Sequence, residues 1–208
     1  MTINDDTYSE QMQDSIEPII HSNIKEEETI IIGADHRGYE LKEHLKSILL
    51  QKKFEVMDVG THNSDSCDYP SIAHSLCNPE IRKPERLGVL ICGSGYGMCI
   101  ASNRHLHIHA AACRTVEEVK AAREHGNINV LCLGADFTDQ TRGENMLEAF
   151  LNTSFSGIER HAHRIEMMDH FNDDEERRAR EQAANKTFEN EFDQSSEREG
   201  GWGVGNGK

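Results

Sequence analysis

Short apolar runs and stretches of helical spacing alternate along the middle of this chain. Thr29 to Asp35 is β-branched and ends in small residues, the pattern of a strand buried on both faces. Leu41, Leu45, Ile48 and Leu49 then recur at i, i+4, i+7 and i+8, one face of an amphipathic helix. Phe54 to Val59 reads as a second strand closed by Gly60, and Tyr69-Pro70 leads into a short helix around Ile72 to Leu76. Leu87 to Cys92 is a buried strand, Gly93-Ser94-Gly95-Tyr96-Gly97 a glycine loop, and a helix opens at Met98. Ile108 to Cys113 is strand-like and Val116 to Glu124 helical. Val130 to Leu133 is another short strand, and Met146, Leu147, Phe150 and Leu151 mark a last helix. Five alternations with crossovers of helical length predict an α/β fold. We expect a single domain with a three-layer, Rossmann-like, doubly wound parallel sheet of about five strands.

Charge locates that domain within the 208 residues. The chain carries 22 basic and 37 acidic residues, net −15. Residues 1–28 account for −7 and residues 169–208 for −5, which leaves only −3 on 29–168. We therefore expect an acidic N-terminal extension (1–28), a core domain (29–168) and a charged, Gly-rich tail (169–208). The tail reads as a frayed helix near Asp173 to Arg180 followed by a flexible GGWGVGNG stretch. Such acidity argues against nucleic acid or an anionic membrane as the main partner. No apolar run approaches the roughly 20 residues needed to cross a bilayer, and the acidic start resembles neither a secretory nor a transit signal. A cytoplasmic protein is expected. The six cysteines, all within the core, form no CxxC pair and no zinc spacing, so most read as small buried residues.

In an open α/β sheet, ligands sit at the carboxyl ends of the strands. Asp35 and His36 follow the first strand there, and Cys92 with the loop Gly93 to Gly97 follows the third. Residues without Cβ atoms let successive N–H groups converge on an anion. GSGYG lacks the spacing of a dinucleotide loop, and taken alone it reads equally well as a structural turn. A thiol beside such a loop has its anion stabilised and becomes a usable base or nucleophile.

Further motifs occur in a fixed order: Gly33-Ala34-Asp35-His36-Arg37-Gly38-Tyr39-Glu40-Leu41-Lys42, Asp58-Val59-Gly60-Thr61, Asp68-Tyr69-Pro70, Ile91-Cys92-Gly93-Ser94-Gly95, Arg123-Glu124-His125, Asn129-Val130-Leu131, and Arg160-His161 with Arg164. Together they resemble the type B ribose-5-phosphate isomerases and the related galactose-6-phosphate isomerase subunits, over about 29–168. The resemblance implies interconversion of an aldose phosphate and a ketose phosphate through an enediolate, with no metal or organic cofactor. It implies Cys92 as the base that takes the C2 proton. Gly93, Gly95 and Gly97 would form the anion hole, assisted by Ser94. His125, supported by Asp35, would open the sugar ring, His36, Arg160 and Arg164 would bind phosphate, and Tyr69 would touch the sugar. It also implies a homodimer or dimer of dimers, with sites between subunits. The substrate so implied is ribose 5-phosphate. The alternatives are a hexose 6-phosphate, or a silent paralogue that binds a sugar phosphate or a partner protein.

The chain departs from that family at several positions. After Gly134-Ala135 the family usually has an arginine on phosphate, and this chain has Asp136. Losing that contact and adding a like charge should cost on the order of 2–4 kcal/mol of phosphate binding. Gly126 stands where Asn is usual, and His107 and His109 stand where Gly and Arg are common. On a strand, His105, His107 and His109 would share one face. Without a companion acid or Cys motif they read as a hydrogen-bonded or solvated cluster, as do His161 and His163, and no metal is expected.

Overall fold

The computed structural model describes residues 29–80 and 86–170. The acidic N-terminal extension, the tail helix expected near 173–180 and the Gly-rich end lie outside the described residues. Ten elements alternate: β1 (Thr29–Ala34), α1 (Tyr39–Gln51), β2 (Glu55–Asp58), α2 (Tyr69–Cys77), β3 (Gly88–Cys92), α3 (Tyr96–Ser102), β4 (Ala110–Ala112), α4 (Val116–Gly126), β5 (Val130–Gly134) and α5 (Gln140–Asn152). An eleventh, α6, is helical over 159–170.

All five strands are parallel, in the order β2-β1-β3-β5-β4. The three central strands are buried almost throughout, because helices cover both faces and each side chain meets a core whichever way it points. Ile30, Ile32, Val89, Ile91, Leu131 and Leu133 face α1, α4 and α5. Ile31, Leu90, Cys92, Val130 and Cys132 face α2 and α3. This is the doubly wound, three-layer arrangement expected.

Local chemistry sets the helix ends. Thr115 and Asp139 cap α4 and α5 by accepting from Glu118 N–H and Arg142 N–H, which satisfies donors the first helical turn leaves unpaired. The helix α2 starts at Tyr69, with Pro70 in its first turn, where the missing N–H of proline costs nothing. Lys42, on α1, is charged yet has no exposed surface. It pairs with Asp58 at 2.7 Å and Glu43 at 2.8 Å, and Lys46 adds a second cation 2.6 Å from Asp58.

The bounds of one strand need correction. The strand β4 is only Ala110–Ala112, not 108–113. His105, His107 and His109 therefore share no strand face. His107 has a left-handed backbone (φ 57°) that breaks the extended run. His105 meets His74 of α2, Nε2 to Nδ1 at 2.6 Å, whereas His109 bonds Asp169 of α6 at 2.9 Å. Among the described residues no group of three or more His, Cys, Asp or Glu is placed to hold a metal ion. The helix α6 carries Asp169, whose carboxylate ties it to His109. No helix of the described residues is long and apolar enough to cross a membrane.

Candidate active site

The chain moves from β1 to β2 on one side of β1, then returns to place β3 on the other. The carboxyl ends of β1 and β3 thus flank the switch point of the sheet, where a crevice must open. Asp35, His36 and Arg37 leave β1 there, and Cys92 with the glycine loop leaves β3.

The Cys92 side chain is nearly buried, at 4% exposure. Its Sγ accepts the Gly95 N–H at 3.2 Å, so the loop turns a backbone donor onto the sulfur. Gly95 holds φ at 81°, a left-handed conformation that L side chains rarely adopt. The Tyr69 ring lies against Gly97, where an added Cβ would fall 2.6 Å from the ring. That contact brings Tyr69 beside the loop. Ser94 is partly exposed, and its Oγ accepts the Tyr96 N–H at 3.4 Å. The Cys67 N–H donates to His36 Nδ1 at 3.3 Å. A neutral ring held this way carries its proton on Nε2, the nitrogen left for an anion.

Asp35 is buried, and its Oδ1 accepts the N–H groups of Arg37 and Gly38 at 2.9 and 3.0 Å. It thus organises the turn that presents His36. Within this chain that carboxylate does not meet His125. The reason is topological: α4 runs back from the end of β4 to the start of β5, so its last turn, with His125, lies at the amino edge of the sheet. The strand β5 between the two edges has five residues, on the order of 13 Å of extended chain.

The amino edge holds a second group of predicted residues. The His125 ring packs on His161 of α6 with centroids 4.6 Å apart, and the Ser156 N–H donates to Glu124 O at 3.0 Å, which ties α4 to the segment before α6. Arg160 and Arg164 are exposed on the same helix. Burial lowers the pKa of His161, and the charges of Arg160, His125 and Arg164 lower it further. Within one chain the predicted residues therefore fall into two separate groups. Cys92, Ser94, Tyr69, His36 and Asp35 stand at one edge, and His125, Arg160 and Arg164 at the other.

Asp136 does not present a bare negative charge. Its two oxygens take Arg37 Nη2 at 2.7 and 2.8 Å, so the like-charge cost expected from this position is largely cancelled. The hydrogen bond and charge of Asp136 raise the pKa of Arg37. In the sequence Arg37 stands only as one residue of the Gly33 to Lys42 motif, because its partner is 99 positions away. A hollow of about 510 Å³ lies on the outer side of this pair, bordered by Glu40, Leu41, Ala135 and Thr138, and does not reach Cys92.

A sulfur on a glycine loop at the switch point of a doubly wound sheet marks an α/β protein that works on a small anionic ligand at the strand tips. The chain belongs to the ribose/galactose isomerase family, whose profile matches residues 30–168. A protein of Rickettsia bellii, assigned provisionally to the sugar phosphate isomerases, is 42% identical over 128 residues, 62% of this chain and 89% of its own. The structure of ribose 5-phosphate isomerase B from Anaplasma phagocytophilum is similar with a TM-score of 0.65 and 37% identity. It covers 68% of this chain and 97% of that one. Ribose-5-phosphate isomerase B from Mycoplasma genitalium, solved with bound ribulose 5-phosphate, gives a TM-score of 0.63 and 33% identity over 69% and 95% of the two chains. The resemblance carried by the motifs is borne out.

Proposed function

We propose that this protein interconverts ribose 5-phosphate and ribulose 5-phosphate, in sites each assembled from two copies of the chain. The observation that carries the reading is the Cys92 sulfur, set on the glycine loop at the switch point with Tyr69 and His36 around it, in a member of this family. The Cys92 thiolate takes the C2 proton of the open-chain aldose. The electron pair closes a C1=C2 double bond, and O1 becomes the oxyanion, facing the N–H groups of the Gly93 to Gly97 loop. The same thiol returns a proton to C1 while the O2 proton passes to O1, which leaves a ketose. Backbone donors aimed at such an oxyanion contribute a few kcal/mol each.

The second copy supplies what a single chain leaves at the wrong edge: His125 for ring opening, and Arg160 and Arg164 for the phosphate. Support comes from the exposed apolar groups beside the loop, Tyr96 at 49%, Ile100 at 62% and Phe137 at 49%. A patch of that kind suits a partner surface. In deuterium oxide, the purified protein should place one deuterium on C1 of the ribulose 5-phosphate it forms, and Cys92→Ala should not. Equal, negligible incorporation by both proteins would remove the isomerase reading.

A further inference from the structure

Arg37 does more than close a turn. Among the described residues, both hydrogen bonds of its guanidinium leave from one nitrogen, Nη2, and both end on Asp136. The group is therefore tethered end-on, and the N–H donors of Nε and Nη1 are not spent on the carboxylate. Nε lies 2.9 Å from the point a Cβ on Gly93 would occupy, so the guanidinium covers the first glycine of the loop. Any side chain at 93 would displace it.

Arg37 is 58% exposed and Asp136 39%, and an exposed pair of this kind adds little to stability. A strap between two loops is thus a weak account of it. A planar fork of donors, fixed at one corner and laid over an anion loop, is instead the geometry used to hold an oxyanion.

We propose that Arg37 contacts the substrate at its reacting end, donating to the oxyanion that develops beside Gly93, and that Asp136 is the positioning residue that holds the guanidinium there. The inference rests on the isomerase reading above. It assigns Arg37 to the reacting carbons and not to the phosphate, because Gly93 adjoins the sulfur that takes the C2 proton.

The test uses the full chain and the variants Arg37→Gln, Arg37→Lys and Asp136→Asn, each checked for an unchanged thermal melt. Steady-state kinetics with ribose 5-phosphate is paired with calorimetric binding of two probes. One is a phosphorylated aldonohydroxamate, whose ionised N–O group imitates the enediolate, and the other is inorganic phosphate. Arg37→Gln should lower kcat on the order of 100–1000-fold with KM nearly unchanged. It should weaken the hydroxamate by a similar factor and leave inorganic phosphate binding as it was. Arg37→Lys should not rescue, for lack of the fork. Asp136→Asn should show a smaller loss of the same kind.

The assignment falls if Arg37→Gln keeps both kcat and hydroxamate affinity. It falls equally if the variant raises KM and weakens inorganic phosphate while kcat is retained. A wild type without turnover would count against the isomerase reading alone, since the two probes still compare Arg37 with Gln. A wild type that binds no hydroxamate would overturn the assignment as well.

Discussion

Mixing two inactive variants tests the division of the site between two copies. Cys92 lies at the carboxyl tip of β3 and His125 at the amino edge of the sheet. The five residues of β5 put on the order of 13 Å of strand between those edges, far beyond one substrate contact. If each site takes Cys92 from one copy and His125 from the other, Cys92→Ala and His125→Ala complement each other. Co-refolded in equal amounts, half of the dimers are hybrids. Each hybrid has one site with both defects and one with neither. Activity should therefore return to about one quarter of wild type, from parents at a few per cent or less. Initial rates with ribose 5-phosphate, measured against each parent refolded alone, give the readout. A mixture no more active than the mean of its parents would refute the reasoning, because it would place both groups in one copy's site.

Two further outcomes follow from buried and titrating groups. Burial disfavours the Asp58 carboxylate, but the hydrogen bonds from Lys42 and Lys46 outweigh this and hold its pKa below the ordinary value. The pair's contribution is therefore complete above the usual carboxylate range near pH 4 and is lost as pH falls through the depressed value. Asp58→Asn should cost about 2–3 kcal/mol at pH 7 in urea denaturation, because Lys42 keeps only Glu43 as an anionic partner, and should flatten the acid limb of the stability curve. An unchanged limb would refute the assignment. The hydrogen bond with Cys132 brings the Cys99 pKa down to about 7 against the opposing effect of burial, whereas burial pushes the Cys113 thiol up to about 12. Iodoacetamide at pH 7.5 should therefore modify Cys99 well before Cys113, as read by peptide mass spectrometry. The reverse order would contradict it.

What the linear chain determined was whatever depends on near neighbours. The runs at Ile30 to Ile32, Val89 to Ile91 and Val130 to Leu133 announce strands with helices on both sides, because a strand facing water would have to alternate. Cys92 before a glycine loop announces a ligand edge, because small residues free backbone donors to converge. The alternation of His105, His107 and His109 could not fix their placement, since a period of two cannot reveal the left-handed turn at His107. The helix α6 was not legible: its one buried side chain is His161 among charged residues, and the partners that bury it, the His125 ring of α4 and the Ser156 hydroxyl, are set by tertiary packing. Tertiary structure alone decided the partners of charged groups. Lys42 looks like a surface position until Asp58 meets it from β2, and Asp136 looks repulsive until Arg37 reaches it from the opposite end of the domain. It also decided that His125 and Cys92 stand at opposite edges. Local periodicity records which face of an element is apolar, but the distance between two side chains remote in sequence depends on how the elements are stacked, and that is a property of the whole sheet.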